Sequence, residues 1–241
     1  METAGRPQDA VVVAIDGPSG TGKSSTSRAV ATKLGLRFLD TGAQYRAMTW
    51  WMLTNEVDVD DAAAVALASD KPVLVSGTDP LNPTITVDGV DASGPIRTQE
   101  VTAAVSAVSA VPEVRARLVE LQRTACAESA AAGGIVVEGR DIGTTVLPDA
   151  TLKVYLTASA QARAARRSGE LKGVPGAGQM SVEATREALV RRDAADSGRK
   201  TSPLAKADDA IEVDTTELSL EQVIEAIVTL VDEKLKERTT G

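Results

Sequence analysis

Short apolar runs recur along the chain, and segments with helical periodicity lie between them. The strand candidates are "VVVAI" (11–15), "RFLD" (37–40), "IVVEG" (135–139), "LKVYL" (152–156) and "AIEV" (210–213). Several of these runs are unbroken instead of alternating with polar residues, as is typical of strands covered on both faces. The pattern predicts an α/β fold with a central five-stranded parallel sheet flanked by helices.

The first and last helices carry clear end signals. After the first run, a helix is predicted from about Lys23 to Leu34, with Gly35 as the left-handed residue that ends it. Near the end of the chain, Ser219 and Gln222 have the spacing of a capping box. The apolar residues that follow are Val223, Ile224, Ile227 and Leu230. We therefore expect a final amphipathic helix that docks on the core.

Two regions interrupt the alternation of strands and helices. Between residues 71 and 91, "VLVSG" and "TITVDGV" resemble short strands, and Asp88-Gly89 is a typical hairpin turn, so we expect a small antiparallel insert. From 168 to 179, "SGELKGVPGAGQ" contains four glycines and one proline, which predicts a mobile flap. Gly133 and Gly134 interrupt the chain just before the third strand.

The composition is that of an ordinary globular chain. It has 241 residues, 43% of them hydrophobic, which is enough for one large domain with insertions or for two small ones. No run reaches the length of a membrane span and no signal peptide is recognisable, so the cytoplasm is the expected location. The single cysteine, Cys126, excludes an internal disulfide and a multi-cysteine zinc site.

The chain contains no histidine, which excludes a Ser-His-Asp triad, a Cys-His pair and the most common general base. Its formal net charge is −8, and its aromatic residues are two tryptophans, two tyrosines and one phenylalanine. This composition offers neither the basic surface nor the stacking platforms of a nucleic-acid-binding protein. Any anionic ligand must therefore bind at a local basic cluster.

The segment "GPSGTGKS", residues 17–24, is a candidate P-loop. Its glycines let backbone N–H groups surround phosphate oxygens, Lys23 reaches the β- and γ-phosphates, and the Ser24 hydroxyl can bind Mg²⁺. A glycine-rich turn without a ligand is the alternative, but the position between a buried strand and a helix favours phosphate binding. The motif alone leaves open a GTPase, an ATP-driven motor, a regulatory module or a small-molecule kinase.

Two basic clusters favour the kinase. Arg163, Arg166 and Arg167 share one helical face, and "RRDAADSGRK" (191–200) lies beyond the glycine-rich segment. A solvated basic face is the alternative for either cluster alone. Together they predict a lid over phosphates, because phosphoryl transfer depends on positioning and on cationic groups. A phosphate acceptor is largely ionised at pH 7 and needs no general base.

Five motifs resemble those of bacterial cytidylate kinases, the (d)CMP kinases of the nucleoside monophosphate kinase group. They are "IDGPSGTGKSS", "FLDTGAQYRA", "SGPIRTQEV", "VVEGRDIGT" and "RRDAADSGRKTSPL", in the family's order and approximate spacing. The resemblance extends from Val11 to the last helix. It implies ATP as donor, CMP or dCMP as acceptor, Mg²⁺, and a monomer that binds neither nucleic acid nor membrane. It also implies a core (10–42, 108–158, 206–238), an acceptor-binding part (43–107, with an insert near 72–92) and a lid (159–205).

The resemblance also implies a set of site residues. Those expected to bind ATP are Gly17, Ser19, Gly20, Thr21, Gly22, Lys23, Ser24 and Ser25. Those expected to bind CMP are Thr41, Tyr45, Arg46, Ser106, Arg115, Arg140, Asp141, Arg192, Asp196 and Arg199. Within the second set, Arg46 and Arg199 contact phosphate, Arg140 and Asp141 the acceptor phosphate and the base, Ser106 and Arg115 the cytosine, and Arg192 and Asp196 the ribose. The expected catalytic residues are Lys23, Arg140, Arg163, Arg167 and Arg199.

Helical geometry agrees with two of these positions. Ser106 points away from the apolar stripe of its helix, and Arg115 falls at the edge of the stripe on the next helix. Without the resemblance, an exposed serine and a solvated arginine would be the preferred interpretations.

The chain departs from the family pattern at two positions. Glu138 stands where aspartate is common, so we expect it to reach Mg²⁺ through water beside Ser24. Gln44 stands where an apolar residue is frequent. Two other functions stay open: a kinase of the same fold that acts on UMP, AMP or shikimate, and a nucleotide-sensing module that holds or hydrolyses ATP.

Overall fold

The computed structural model describes residues 10–171 and 181–240. Its strands are β1 (Val11–Asp16), β2 (Arg37–Asp40), β3 (Leu74–Ser76), β4 (Ile85–Val87), β5 (Val90–Asp91), β6 (Gly134–Glu138), β7 (Leu152–Thr157) and β8 (Ile211–Asp214). Its α-helices are α1 (Lys23–Leu34), α2 (Thr41–Thr54), α3 (Ala62–Ala68), α4 (Gln99–Ala110), α5 (Pro112–Ala130), α6 (Ala160–Leu171), α7 (Val182–Ser197) and α8 (Leu220–Thr240).

Five strands form the predicted parallel sheet, in the order β2-β6-β1-β7-β8. Alternate residues of the central strands enter different layers, because both faces of the sheet are covered. Val13 and Ile15 pack in a core that also contains residues of α1 and α8, whereas Ala14 packs with Cys126 of α5. This two-sided burial explains the unbroken apolar runs and confirms the predicted fold class.

The predicted helix ends are confirmed. Helix α1 runs from Lys23 to Leu34 and ends at Gly35, whose φ of 68° is left-handed. At the start of α8, the N–H of Ser219 donates to Gln222 Oε1 over 2.8 Å, and the N–H of Gln222 donates to Ser219 Oγ over 3.3 Å. The capping box is therefore formed in both directions.

The insert is the predicted antiparallel sheet, in the order β3-β4-β5. Asp88 and Gly89 join β4 to β5 with φ values of 51° and 80°, which are the left-handed values that this type of hairpin turn requires. The sheet shares a core with α2, α4 and α5, to which Met48, Met52 and Val87 contribute. The division of the chain into core, acceptor-binding part and lid stays a prediction.

The predicted flap at 168–179 is wrong in its first four residues, because Ser168 to Leu171 continue α6 as helix. The remainder of that segment, from 172 onward, lies outside the described residues, as do residues 1–9. No helix in the described ranges has the length and apolar character that crossing a membrane requires.

Gly133 precedes β6 as predicted, whereas Gly134 is the first residue of that strand, and the two differ in their surroundings, which provides a test of the fold. Both have positive φ, 96° at Gly133 and 134° at Gly134. A Cβ at Gly133 would meet nothing within 4 Å, whereas a Cβ at Gly134 would lie 2.0 Å from the carbonyl oxygen of Val11.

We therefore expect Gly133→Ala to reduce the free energy of unfolding by about 1 kcal/mol, through backbone strain alone. Gly134→Ala should reduce it by at least about 2 kcal/mol more, because β1 and β6 must also separate. Urea unfolding of the two variants checks this difference. Equal losses would contradict the close approach of the two strands.

Candidate active site

The candidate site is a cleft at the carboxyl ends of β1, β2 and β6, where ligands bind in open parallel sheets. Most of the predicted site residues line it: Ser19, Gly20, Gly22, Lys23, Ser24, Ser25, Thr41, Tyr45, Arg46, Ser106, Arg115, Glu138, Arg140, Asp141, Arg167, Arg192, Asp196 and Arg199. Gly17, Thr21 and Arg163 are not among the lining residues. Asp40 and Arg97 line the cleft without having been predicted.

The P-loop follows β1 and opens α1, as its motif predicts. Gly17 has a φ of 145°, and a Cβ there would lie 2.2 Å from the carbonyl oxygen of Leu156 on β7. Gly22 is the left-handed N-cap of α1, with a φ of 87°. Glycine suits Gly22 because of its left-handed φ, and it suits Gly17 also because the loop there lies close against β7.

Lys23 is buried at the start of α1, and its Nζ donates to the carbonyl oxygen of Pro18 over 2.7 Å. Burial lowers the pKa of the Lys23 ammonium to about 7, and the charge of Arg140 acts in the same direction. Glu138 and Asp16 oppose that shift. A phosphate anion beside Lys23 would favour its charged form.

Ser24 and Glu138 form the candidate metal-binding pair. Ser24 Oγ donates to Glu138 Oε2 over 3.0 Å, and within the described ranges Glu138 Oε1 is buried without a hydrogen-bond partner. Burial, and secondly the charge of Asp40, raises the pKa of Glu138 to about 8. Asp40 is its neighbour in the register of β2 and β6.

These oxygens suit Mg²⁺, and a bound cation would favour the ionised form of Glu138. No group of three or more potential acidic, histidine or cysteine metal ligands occurs in the part of the chain that the structure describes. A Mg²⁺ ion here would therefore complete its coordination with water and substrate phosphates, as this ion usually does.

Asp16 organises the segment after β6 and was not among the predicted site residues. Its Oδ1 accepts from the N–H of Ile142 and its Oδ2 from the N–H of Gly143, each over 2.8 Å. These bonds fix the π-helical turn that follows Arg140 and Asp141. Burial raises the pKa of Asp16 from 3.8 to about 6, although the two backbone hydrogen bonds oppose that shift.

The acceptor side is built around Arg115, which is 2% exposed rather than solvated at a helix edge. Its guanidinium forms an ion pair with Asp141, donates to the carbonyl oxygen of Ser109 over 3.2 Å, and lies 5.3 Å from the ring centroid of Tyr45. Ser106 is half-buried in the same wall of the cleft. These residues present donors and acceptors at fixed positions.

Several arginines crowd the cleft between the two sides. Arg46 donates to Ile96 O over 3.2 Å and to Thr102 Oγ1 over 2.9 Å. Burial lowers the pKa of Arg46 to about 9, and the charges of Arg192 and Arg167 add to this. Burial, followed by the charge of Arg140, lowers the pKa of Arg192 to about 10. Such mutual repulsion favours an anionic ligand.

Of the remaining predicted residues, Arg140, Asp196 and Arg199 line the cleft, and Arg163 does not. Arg140 donates from Nε to Asp196 over 3.2 Å and from Nη2 to Ser19 Oγ over 2.6 Å. Arg199 forms an ion pair with Asp196. Arg163 lies behind the loop and pairs with Asp193. The roles assigned to all of these residues stay predictions.

Asp16, Asp40 and Arg97 were not predicted as site residues, and the sequence contains a clearer signal for some of them than for others. Arg97 is exposed at the cleft and lies within "SGPIRTQEV", so the motif itself was the signal. Asp40 caps α2 by accepting from the N–H of Ala43 over 2.9 Å and begins "DTGAQYRA". Asp16 lies within "IDGPSGTGKSS", but no local pattern identifies its partners, the backbone N–H groups of Ile142 and Gly143, which are 126 and 127 positions away.

A P-loop at the end of a parallel strand, facing an arginine-lined cleft beside an inserted antiparallel sheet, defines the class of P-loop kinases. The family model for cytidylate kinase matches residues 13–233. The chain belongs to this family.

Two relatives agree with that assignment, and one solved structure agrees with the fold. Cytidylate kinase of Streptomyces griseus subsp. griseus is 72% identical over 234 residues, covering 97% of this chain and 96% of the relative. Cytidylate kinase of Streptomyces coelicolor is 74% identical over 235 residues, covering 97% and 98%. A crystal structure of an uncharacterized protein from Eubacterium ventriosum covers 93% of this chain and 99% of its own, with a TM-score of 0.50 at 11% identity, which supports the fold alone.

The raised pKa of Asp16 predicts a pH-dependent stability difference. The folded chain holds this proton more tightly than the unfolded chain, so the contribution of Asp16 to stability is greatest below its unfolded pKa of 3.8 and declines as the pH rises through about 6. Asp16→Asn does not titrate and lacks this decline.

The free energy of unfolding of the wild type, minus that of Asp16→Asn, should therefore fall by about 2 kcal/mol between about pH 4.5 and about pH 7. Urea unfolding at both pH values measures it. Asp232→Asn, at an exposed position of α8, controls for the loss of one negative charge. A difference that stays constant with pH for Asp16→Asn would show that its pKa is not raised.

Proposed function

We propose that this protein transfers the γ-phosphate of ATP to CMP or dCMP, giving CDP or dCDP and ADP. The observation that carries the proposal is one cleft that joins the P-loop to the Arg115–Asp141 pair. The first is a donor-phosphate site and the second a base-reading site, and the arginines lie between them. Family membership and the names of the Streptomyces relatives support the same reaction.

The donor half of the site is the P-loop. Its backbone N–H groups and the N-terminus of α1 favour the phosphates of ATP, and Lys23 would move from Pro18 to those phosphates. Ser24 and Glu138 would hold Mg²⁺, directly or through water. When bound, that ion neutralises charge on the β- and γ-phosphates.

The acceptor half holds the monophosphate with Arg46, Arg140 and Arg199. The acceptor oxygen is largely ionised at pH 7, which agrees with a chain that has no histidine. Of the two α6 arginines that were predicted to be catalytic, Arg167 lines the cleft and Arg163 does not, so we assign Arg167 to the transferred group. Catalysis then consists of alignment and of cationic stabilisation of the equatorial oxygens.

Base selection follows from the donors and acceptors of cytosine. Its N3 and O2 accept hydrogen bonds, which suits the guanidinium of Arg115, and its N4 amino group donates, which suits Ser106 and Asp141. Uracil has the opposite pattern at positions 3 and 4, so a donor of the site would face a donor of the base. Leaving buried polar groups unpaired gives strong discrimination.

We also propose that the protein is monomeric and cytoplasmic, and that it binds neither nucleic acid nor a membrane. The net charge of −8 supports the first exclusion. The family resemblance supports the oligomeric state and the location.

A panel of acceptors tests the reaction. With ATP and Mg²⁺ present, kcat/KM for CMP and dCMP should exceed that for UMP, AMP or shikimate by at least about 100-fold. The reason is that only the hydrogen-bonding pattern of cytosine matches Arg115 and Ser106. ADP release is measured with a coupled assay. Faster turnover of UMP or AMP would contradict the base assignment, and ATP binding without acceptor-dependent turnover would identify a nucleotide-sensing module.

Arg115→Ala tests base reading separately from phosphate binding. We expect KM for CMP to rise at least about 10-fold while KM for ATP changes less than about twofold, because Arg115 touches only the acceptor half. Steady-state kinetics with each substrate varied measures this split. Ser106→Ala leaves the buried ion pair intact and should reduce the preference for CMP over UMP. Equal losses for ATP and CMP would contradict the role.

A further inference from the structure

Ser19 of the P-loop is held from three directions by residues far along the chain. Its N–H donates to Asp193 Oδ1 over 3.1 Å, and its carbonyl oxygen accepts from Arg163 Nη1 over 3.0 Å. Its Oγ accepts from Arg140 Nη2 over 2.6 Å. Arg163 and Asp193 also form an ion pair with each other. The position of Ser19 therefore depends on α6, α7 and the segment after β6 together.

Arg163 packs against the P-loop at Gly20 and does not line the cleft. A Cβ at Gly20 would lie 3.1 Å from the carbonyl oxygen of Arg163 and 3.2 Å from its Cβ, so α6 packs directly on the loop. The side chain of Arg163 is 10% exposed and that of Asp193 is 16% exposed. A charged group this buried needs its partner, because removal of one member leaves the other uncompensated. Arg163 therefore contacts Ser19 and Asp193 and is not among the residues that line the cleft.

Asp193 lies on α7 beside two predicted acceptor contacts. Arg192 precedes it and Asp196 follows one helical turn later, on a neighbouring part of the helix surface. Both of these residues line the cleft, whereas Asp193 reaches the P-loop. One rigid turn of helix therefore carries both a donor-side contact and acceptor-side contacts.

Arg140 connects Asp196 of α7 to Ser19 of the P-loop. Asp196 accepts from Arg140 Nε, and Arg140 Nη2 returns to Ser19 Oγ. A displacement of Ser19 when phosphates bind must shift Asp193, and with it Arg192 and Asp196. By the same contacts, an acceptor held by α7 constrains the P-loop.

We propose that Asp193 is a positioning residue that couples the donor and acceptor halves of the site, so that each substrate strengthens the binding of the other. The inference rests on the proposed function, since it needs two substrates in one cleft. Coupling of this kind is reciprocal: the factor by which the donor improves acceptor binding equals the factor by which the acceptor improves donor binding.

Binding measurements test the coupling without turnover. We measure Kd for CMP by calorimetry with and without the β,γ-imido analogue of ATP and Mg²⁺, and Kd for the analogue with and without CMP. In the wild type the two ratios should agree at about fivefold or more. In Asp193→Asn, which keeps the side chain's size but removes the ion pair, both ratios should fall below about twofold.

Controls separate coupling from a purely structural role. Glu187→Gln removes a carboxylate from an exposed part of α7, where it pairs with Arg191 over 3.6 Å, and should retain the wild-type ratio. Asp193→Glu keeps the carboxylate and should restore part of the coupling. If Asp193→Asn is unstable, Arg163→Gln removes the other half of the ion pair and should lower the ratio in the same way.

The possible results test the coupling inference and the proposed function separately. An unchanged ratio in Asp193→Asn, or a ratio near one in a wild type that binds CMP, overturns the inference. Equal weakening of both substrates with the ratio preserved also overturns it, because that is the result of a structural role. A wild type that does not bind CMP overturns the proposed function instead, and the ratio is then measured with the acceptor that the panel selects.

Discussion

Buried charge at the carboxyl ends of the parallel strands is the constraint on which the site depends. Parallel strands end together, so the P-loop after β1, Asp40 at the end of β2 and Glu138 at the end of β6 meet in one place. Burial disfavours the charged form of four groups in or beside this region. It lowers the pKa of Lys23 and Arg46 and raises that of Glu138 and Asp16. Phosphates beside Lys23 and Arg46, and a divalent cation beside Glu138, would favour the charged forms of these groups.

The carboxylates of the site divide into two groups with different tasks. Asp141, Asp193 and Asp196 each form an ion pair with an arginine and thereby set the direction of its guanidinium. Asp40 and Glu138 lie close together at the strand ends, and Glu138 keeps one oxygen without a partner within the described ranges. The first group fixes geometry before substrates arrive, as efficient positioning requires. The second group places oxygen atoms where a cation would bind, if the proposed Mg²⁺ site is correct.

The parts of the fold that depend on local chemistry could be predicted from the sequence. The bounds of α1, the capping box of α8 and the Asp88-Gly89 turn follow from residues within a few positions of one another. The partners of buried arginines could not. Arg115 has the helical position of a solvated residue, and its burial depends on Asp141, 26 residues later. Arg163 belongs to an arginine cluster that suggests the cleft, and only tertiary packing places it behind the P-loop.

A chain without histidine shifts the burden of catalysis from proton transfer to alignment. An ionised acceptor phosphate is already a nucleophile, so the rate depends on how accurately two anions are held against their mutual repulsion. Accuracy in two half-sites requires a mechanical link between them. In the coupling proposed above, that link is short: three hydrogen bonds at Ser19 of the P-loop come from Asp193 on α7, from Arg163 on α6 and from Arg140 after β6. The contacts that hold the P-loop would then also determine where each substrate is presented to the other.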